Sequence, residues 1–209
     1  MKGRENIKEA IQHWILNAWK PQEDHVLISE MCFRDKKNRA DIVYANGSLA
    51  AFEIKSGADT LLRWPHQMDA YLAVFDEVWL CVHGKHVQKA LSVTVAAVGV
   101  VVADELGGVA MIRPAARNKG VLAYDLLGLL WRAELDELCR TQSVPVLRRE
   151  KIESARRRAG DCIPLDTIRQ HVLMCVKSRY ACKGVHSSPS SSKRVSSVPL
   201  EMGNPTDLK

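Results

Sequence analysis

Asp41, Glu53 and Lys55 are the residues whose types and spacing suit phosphoryl chemistry. Two carboxylates can hold a divalent cation and activate a water next to a phosphate. An ammonium beside them can offset negative charge that develops in a transition state. Acids placed side by side repel, and both stay ionised only when a cation sits between them. The spacing D-x11-E-x-K fits one β-hairpin. On a strand, residues two apart share a face, so Glu53 and Lys55 lie together while Ile54 points into a core. The plain alternative is a surface Glu–Lys pair, which stabilises little.

The elements that must position these residues follow from local patterns. Ile7, Ile11, Trp14, Ile15 and Ala18 make a helical stripe over 5–19, with Pro21 just beyond it. Strands are expected at 26–33, 39–45 and 49–55, with a polar turn at 35–38 and an Asn46–Gly47 turn signal. A helix over 66–75, a strand over 78–82, a short helix over 86–91 and strands over 98–103 and 109–113 follow. The 56–65 stretch reads as irregular. Helical patterns return at 126–139, 148–158 and 165–177. The fold class is α/β, with a core of helix, three-stranded meander, helix and strand, and a C-terminal helical appendage. We divide the chain into a core at 1–120, a basic helical appendage at 121–183 and a Ser-rich disordered tail at 184–209.

Register decides whether the acids meet. A two-residue Asn46–Gly47 turn pairs Asp41 with Phe52 and puts Glu53 on the opposite face. One more turn residue, or a bulge, pairs Asp41 with Glu53 and Arg39 with Lys55. We expect the second register. It gathers Ile42, Tyr44, Ala50, Phe52 and Ile54 on one apolar face and the polar residues on the other.

The 209 residues carry a net charge of +6. Between Pro145 and Lys183 stand ten basic and four acidic residues, an excess of six that equals the total. An anionic partner is favoured. Arg156, Arg157 and Arg158 are either a solvated helix face or a phosphate-contacting patch, and the local charge favours nucleic acid. The six cysteines form no C-x-x-C pair, which argues against zinc. No signal peptide or membrane span is evident, so a reducing cytoplasm is expected.

Gln67 and Tyr71, four apart on one helix face, complete a pattern. With Asp41 and Glu53-Ile54-Lys55, this Q-x-x-x-Y resembles the PD-(D/E)xK nuclease superfamily, in its RecB-like branch. Arg39-Ala40-Asp41-Ile42, Phe52-Glu53-Ile54-Lys55-Ser56 and Asp59-Thr60-Leu61-x-Arg63 are similar to a short, largely uncharacterised bacterial family within it. Trp64 and Pro65 depart from that family's pattern at the helix start.

The resemblance implies a restriction-endonuclease-like core and Mg²⁺- or Mn²⁺-dependent hydrolysis of DNA. Asp41 and Glu53 would hold the metal, with Glu30 as a third acid beside them. Lys55 would prepare the water, and Gln67 and Tyr71 would complete the site. Arg39 and Arg63 are candidates for flanking phosphates, with ordinary ion pairing the alternative. Asp59 reads as a turn cap. A non-catalytic nucleic-acid-binding module, or a subunit active only with a helicase or specificity partner, are the other readings. A dimer stays open.

Overall fold

The computed structural model describes residues 2–181. Helix α1 (Lys2–Ala18) leads into a meander of β1 (Val26–Phe33), β2 (Asn38–Ala45) and β3 (Leu49–Lys55). Then come α2 (Trp64–Leu72), β4 (Glu77–Val82), α3 (Val87–Val93), β5 (Gly99–Ala103) and β6 (Val109–Arg113). The described chain closes with α4 (Ala123–Leu127), α5 (Arg132–Thr141), α6 (Ile152–Cys162) and α7 (Leu165–Ala181).

The six strands form one sheet in the order β1-β2-β3-β4-β5-β6. β1, β2 and β3 pair antiparallel, β3, β4 and β5 pair parallel, and β6 returns antiparallel. Parallel neighbours need crossovers, and α2 and α3 lie within them. β3 is buried along its whole length, as a central strand covered on both faces must be. On one face, Ile7, Ile11 and Ile15 of α1 pack with Leu27, Ile42, Tyr44, Phe52 and Ile54. Burying each isoleucine contributes roughly 1.5–3 kcal/mol. The other face carries Val43, Ala51, Tyr71 and Leu80 in one cluster with Leu126, Leu135, Ile168 and Val172. The molecule is therefore a three-layer α/β/α structure. Among the described residues, no helix is long and apolar enough to cross a membrane.

Several expectations change. The helices from residue 121 onward share one hydrophobic core cluster with the sheet. The helix expected over 126–139 is two helices, with Trp131 extended (φ −72°, ψ 161°) before α5. Leu126, Leu127, Leu129 and Leu130 are all buried, so this run has no solvent face to continue a regular stripe. The helix expected from Arg148 starts at Ile152. Helix α2 starts at Trp64, two residues before the expected position, with Pro65 in its first turn. Proline is tolerated there because the first N–H groups have no partner inside the helix. The tail at 184–209 lies outside the described residues.

Candidate active site

The β2–β3 hairpin has the wider register. Ala45 pairs with Leu49, Tyr44 with Ala50, Val43 with Ala51 and Ile42 with Phe52, so three residues, 46–48, make the turn. One step further, the same register sets Asp41 across from Glu53. There the backbone ladder stops, and Asp41 Oδ2 accepts the Ile54 N–H at 2.8 Å. A side-chain oxygen thus takes the place of a ladder carbonyl, which fixes the Asp41 carboxylate against the neighbouring strand.

Glu53 is the hub. Its Oε1 accepts from Lys55 Nζ at 2.6 Å and from Gln67 Nε2 at 3.2 Å, and its Oε2 accepts from Tyr71 OH at 2.5 Å. Lys55 Nζ also donates to Gln67 Oε1 at 2.9 Å. Asp41 is 5% exposed and Glu53 3%, so both charges lie in a medium where such bonds are strong. The helix spacing of Gln67 and Tyr71 brings both onto Glu53, as expected of positions four apart. Burial, and then the negative charges of Glu53 and Asp41, push the Tyr71 hydroxyl well above its ordinary value and keep it a donor. Burial and the same two carboxylates push the Cys81 thiol up.

These groups line a pocket of about 600 Å³ together with Arg39 and Arg63. Arg63 is exposed at its rim. Arg39 is exposed but paired with Glu30 at 2.8 Å. Asp59 closes the loop before α2 by accepting from the Ser56 N–H and hydroxyl at 2.8 and 2.6 Å. Lys37, Asn38, Thr60 and Leu62 also line the pocket, and sequence reasoning did not single them out. Lys37 and Asn38 read as turn residues, although their position two or fewer residues from Arg39 was the available signal.

Glu30 does not line this pocket, although its charge adds to the upward push on the Tyr71 hydroxyl. The β1–β2 register puts it across from Asp41, but its φ of 57° takes it out of the ladder. Its carboxylate binds Lys8 Nζ at 2.8 Å as well as Arg39. Among the described residues, no group of three or more His, Cys, Asp or Glu is arranged to hold a metal ion. The arginine run does not present a basic patch either. Arg156 is buried and bound to Asp35 at 2.7 Å, and Arg158 is paired with Glu150. Arg157 is exposed, with its guanidinium 5.9 Å from the Tyr124 ring centroid. Two of the three arginines are thus used inside the fold.

Fold and site together define an α/β protein with a buried carboxylate–ammonium network opening into a polar pocket. The chain belongs to the Bacteriophage P4 protein cII family, whose family model matches residues 2–195. Protein cII of Enterobacteria phage P4 is 28% identical over 184 residues, covering 84% of this chain and 67% of that protein. Among solved structures, a protein of unknown function from Silicibacter pomeroyi aligns over 78% of this chain and 85% of its own. At 15% identity and a TM-score of 0.35 that likeness carries no argument.

Proposed function

We propose that this chain is a metal-dependent phosphodiester hydrolase acting on DNA, with a core of the PD-(D/E)xK type. The observation that supports it most is the convergence of Asp41 from β2, Glu53 and Lys55 from β3, and Gln67 and Tyr71 from α2 on one pocket. Mg²⁺ is held in many enzymes by one or two protein carboxylates and keeps several waters. Asp41 and Glu53 fit that donor set, and Mn²⁺ would use the same oxygens. When bound, the ion would supply Lewis acidity at the phosphoryl group and a more acidic water.

The chain's own groups do the rest. Tyr71 holds Glu53 in one orientation through Oε2. Gln67 spans Glu53 and Lys55 and fixes their separation. An ammonium has three donors, and Glu53 and Gln67 engage two of those of Lys55. The third is available for a water or a phosphate oxygen, where the charge offsets the developing negative charge. Arg63 at the rim would neutralise a flanking phosphate. Glu30 is taken up by Lys8 and Arg39, and Arg156 and Arg158 by Asp35 and Glu150, so this chemistry is assigned to the other groups.

A second reading has its own observation. Both Glu53 oxygens are already satisfied by protein donors, so the network is complete without a metal. That suits a nucleic-acid-binding module that keeps the network for structure. Incubation of wild type and Lys55→Ala with linear, nicked, branched and single-stranded DNA in Mn²⁺ separates the two. Cleavage by wild type and its loss in Lys55→Ala support the hydrolase. No cleavage by wild type favours the binder, and equal cleavage by both places the activity elsewhere.

A further inference from the structure

We propose that a second groove, on the far side of the β1–β2 turn, holds one strand of nucleic acid, with Trp131 as its base-stacking platform. This rests on the reading above that the neighbouring site acts on nucleic acid. The groove has a volume of about 520 Å³ and runs between β1 and the residues joining α4 to α5. Trp131 lies in its wall and is 61% exposed, unusual for so large an apolar side chain.

The ring is preorganised. The Arg179 guanidinium lies 4.2 Å from its centroid. Arg179 is itself anchored to the Leu129 carbonyl at 3.2 and 3.3 Å and paired with Glu134. The Trp131 backbone N–H donates to Glu134 Oε2 at 2.6 Å, which fixes the main chain that carries the ring. A ring held by a cation on one side, and largely exposed, can stack a base with little entropy lost.

The groove and the candidate active site flank the same turn, lined by adjacent residues. Lys37 lines the site pocket and Lys36 lines the groove. Both are exposed, and neither forms an ion pair among the described residues, so a phosphate backbone crossing the turn meets two ammoniums. The turn is also held in shape. Arg34, Asp35 and Lys36 all have positive φ (49°, 54° and 64°), a conformation that costs about 1–2 kcal/mol per residue. Arg34 bound to Asp125 at 2.9 Å and Asp35 bound to Arg156 tie it to α4 and α6. The arginines that run through the groove thus serve as scaffold. Charge recognition falls to the two lysines and base recognition to Trp131.

Equilibrium binding of a fluorescein-labelled single-stranded oligothymidylate, followed by anisotropy in EDTA, tests this. Trp131→Ala should weaken binding about 5- to 160-fold, and Trp131→Tyr should restore most of it. Lys36→Ala with Lys37→Ala should lower the log–log salt slope by about 1.4. Trp131→Ala binding as wild type overturns the inference, provided circular dichroism shows the variant folded. Trp131→Tyr as weak as a folded Trp131→Ala overturns it too. No binding by wild type also overturns it and leaves the groove to a protein partner. Duplex cleavage in Mn²⁺, with and without Lys55→Ala, is read in parallel, so the hydrolase reading and the groove fail separately.

Discussion

Replacing Tyr71 by phenylalanine removes one hydroxyl and little else. The ring keeps its neighbours, with centroids of Phe33, Phe75 and Trp64 at 5.1, 5.7 and 6.1 Å. The main loss is the 2.5 Å bond to the almost fully buried Glu53 carboxylate, with a longer 3.3 Å contact to the Arg39 carbonyl going with it. Bonds of that kind contribute about 1.5–3 kcal/mol, because the abandoned carboxylate oxygen stays desolvated. For a chain of this size each kcal/mol shifts Tm by about 2–4 °C, so Tyr71→Phe should melt about 3–12 °C below wild type. Urea unfolding should show a lower midpoint with an unchanged slope. A double-mutant cycle with Glu53→Gln isolates the contact and should return a coupling of at least about 1 kcal/mol. A Tyr71→Phe loss below about 0.5 kcal/mol, or strict additivity in the cycle, would refute the claim that Tyr71 braces Glu53.

Two further outcomes follow from the structure. Gly99 sits beneath Trp79, and a Cβ there would come within 2.3 Å of the indole ring. Gly99→Ala should therefore destabilise by about 1–3 kcal/mol, read by thermal unfolding, whereas a neutral result would mean that the indole has room to move. The Cys175 thiol is pushed up to about 11 by burial and the charge of Glu134. Since the folded value is raised, the stability linked to this thiol is present below its unfolded value of about 8.5 and is lost as pH rises toward 11. At pH 8, iodoacetamide should label exposed Cys32 and Cys162 well before Cys175, as peptide mass spectrometry would show. Labelling of Cys175 at the rate of Cys32 would contradict that placement.

Much of the hairpin was legible because period-two patterning and turn chemistry agree there. β1 and β3 begin and end where the alternation predicts, and the apolar set around Ile42 and Phe52 called for a longer turn or a bulge, of which the three-residue turn occurs. The convergence of Gln67 and Tyr71 on Glu53 was legible from helical spacing. Glu30 was not, because nothing in Ser29-Glu30-Met31 announces a positive φ or a partner on α1. The arginine run misled because composition counts charges and cannot see pairing. Arg156 meets Asp35 across 121 positions of sequence, a contact set only by tertiary packing. The split of the helix expected at 126–139 has the same origin, since a fully buried leucine run has no polar face from which to read a period.

The account turns on whether Asp41 and Glu53 together hold a divalent ion. Titration of Mn²⁺ into the full chain, followed by the loss of free-ion electron paramagnetic resonance signal, measures that directly. The account predicts one bound ion in wild type and its loss in a folded Asp41→Asn variant, with Glu30→Gln binding as wild type. No bound Mn²⁺ in wild type, or equal binding by wild type and Asp41→Asn, would contradict it.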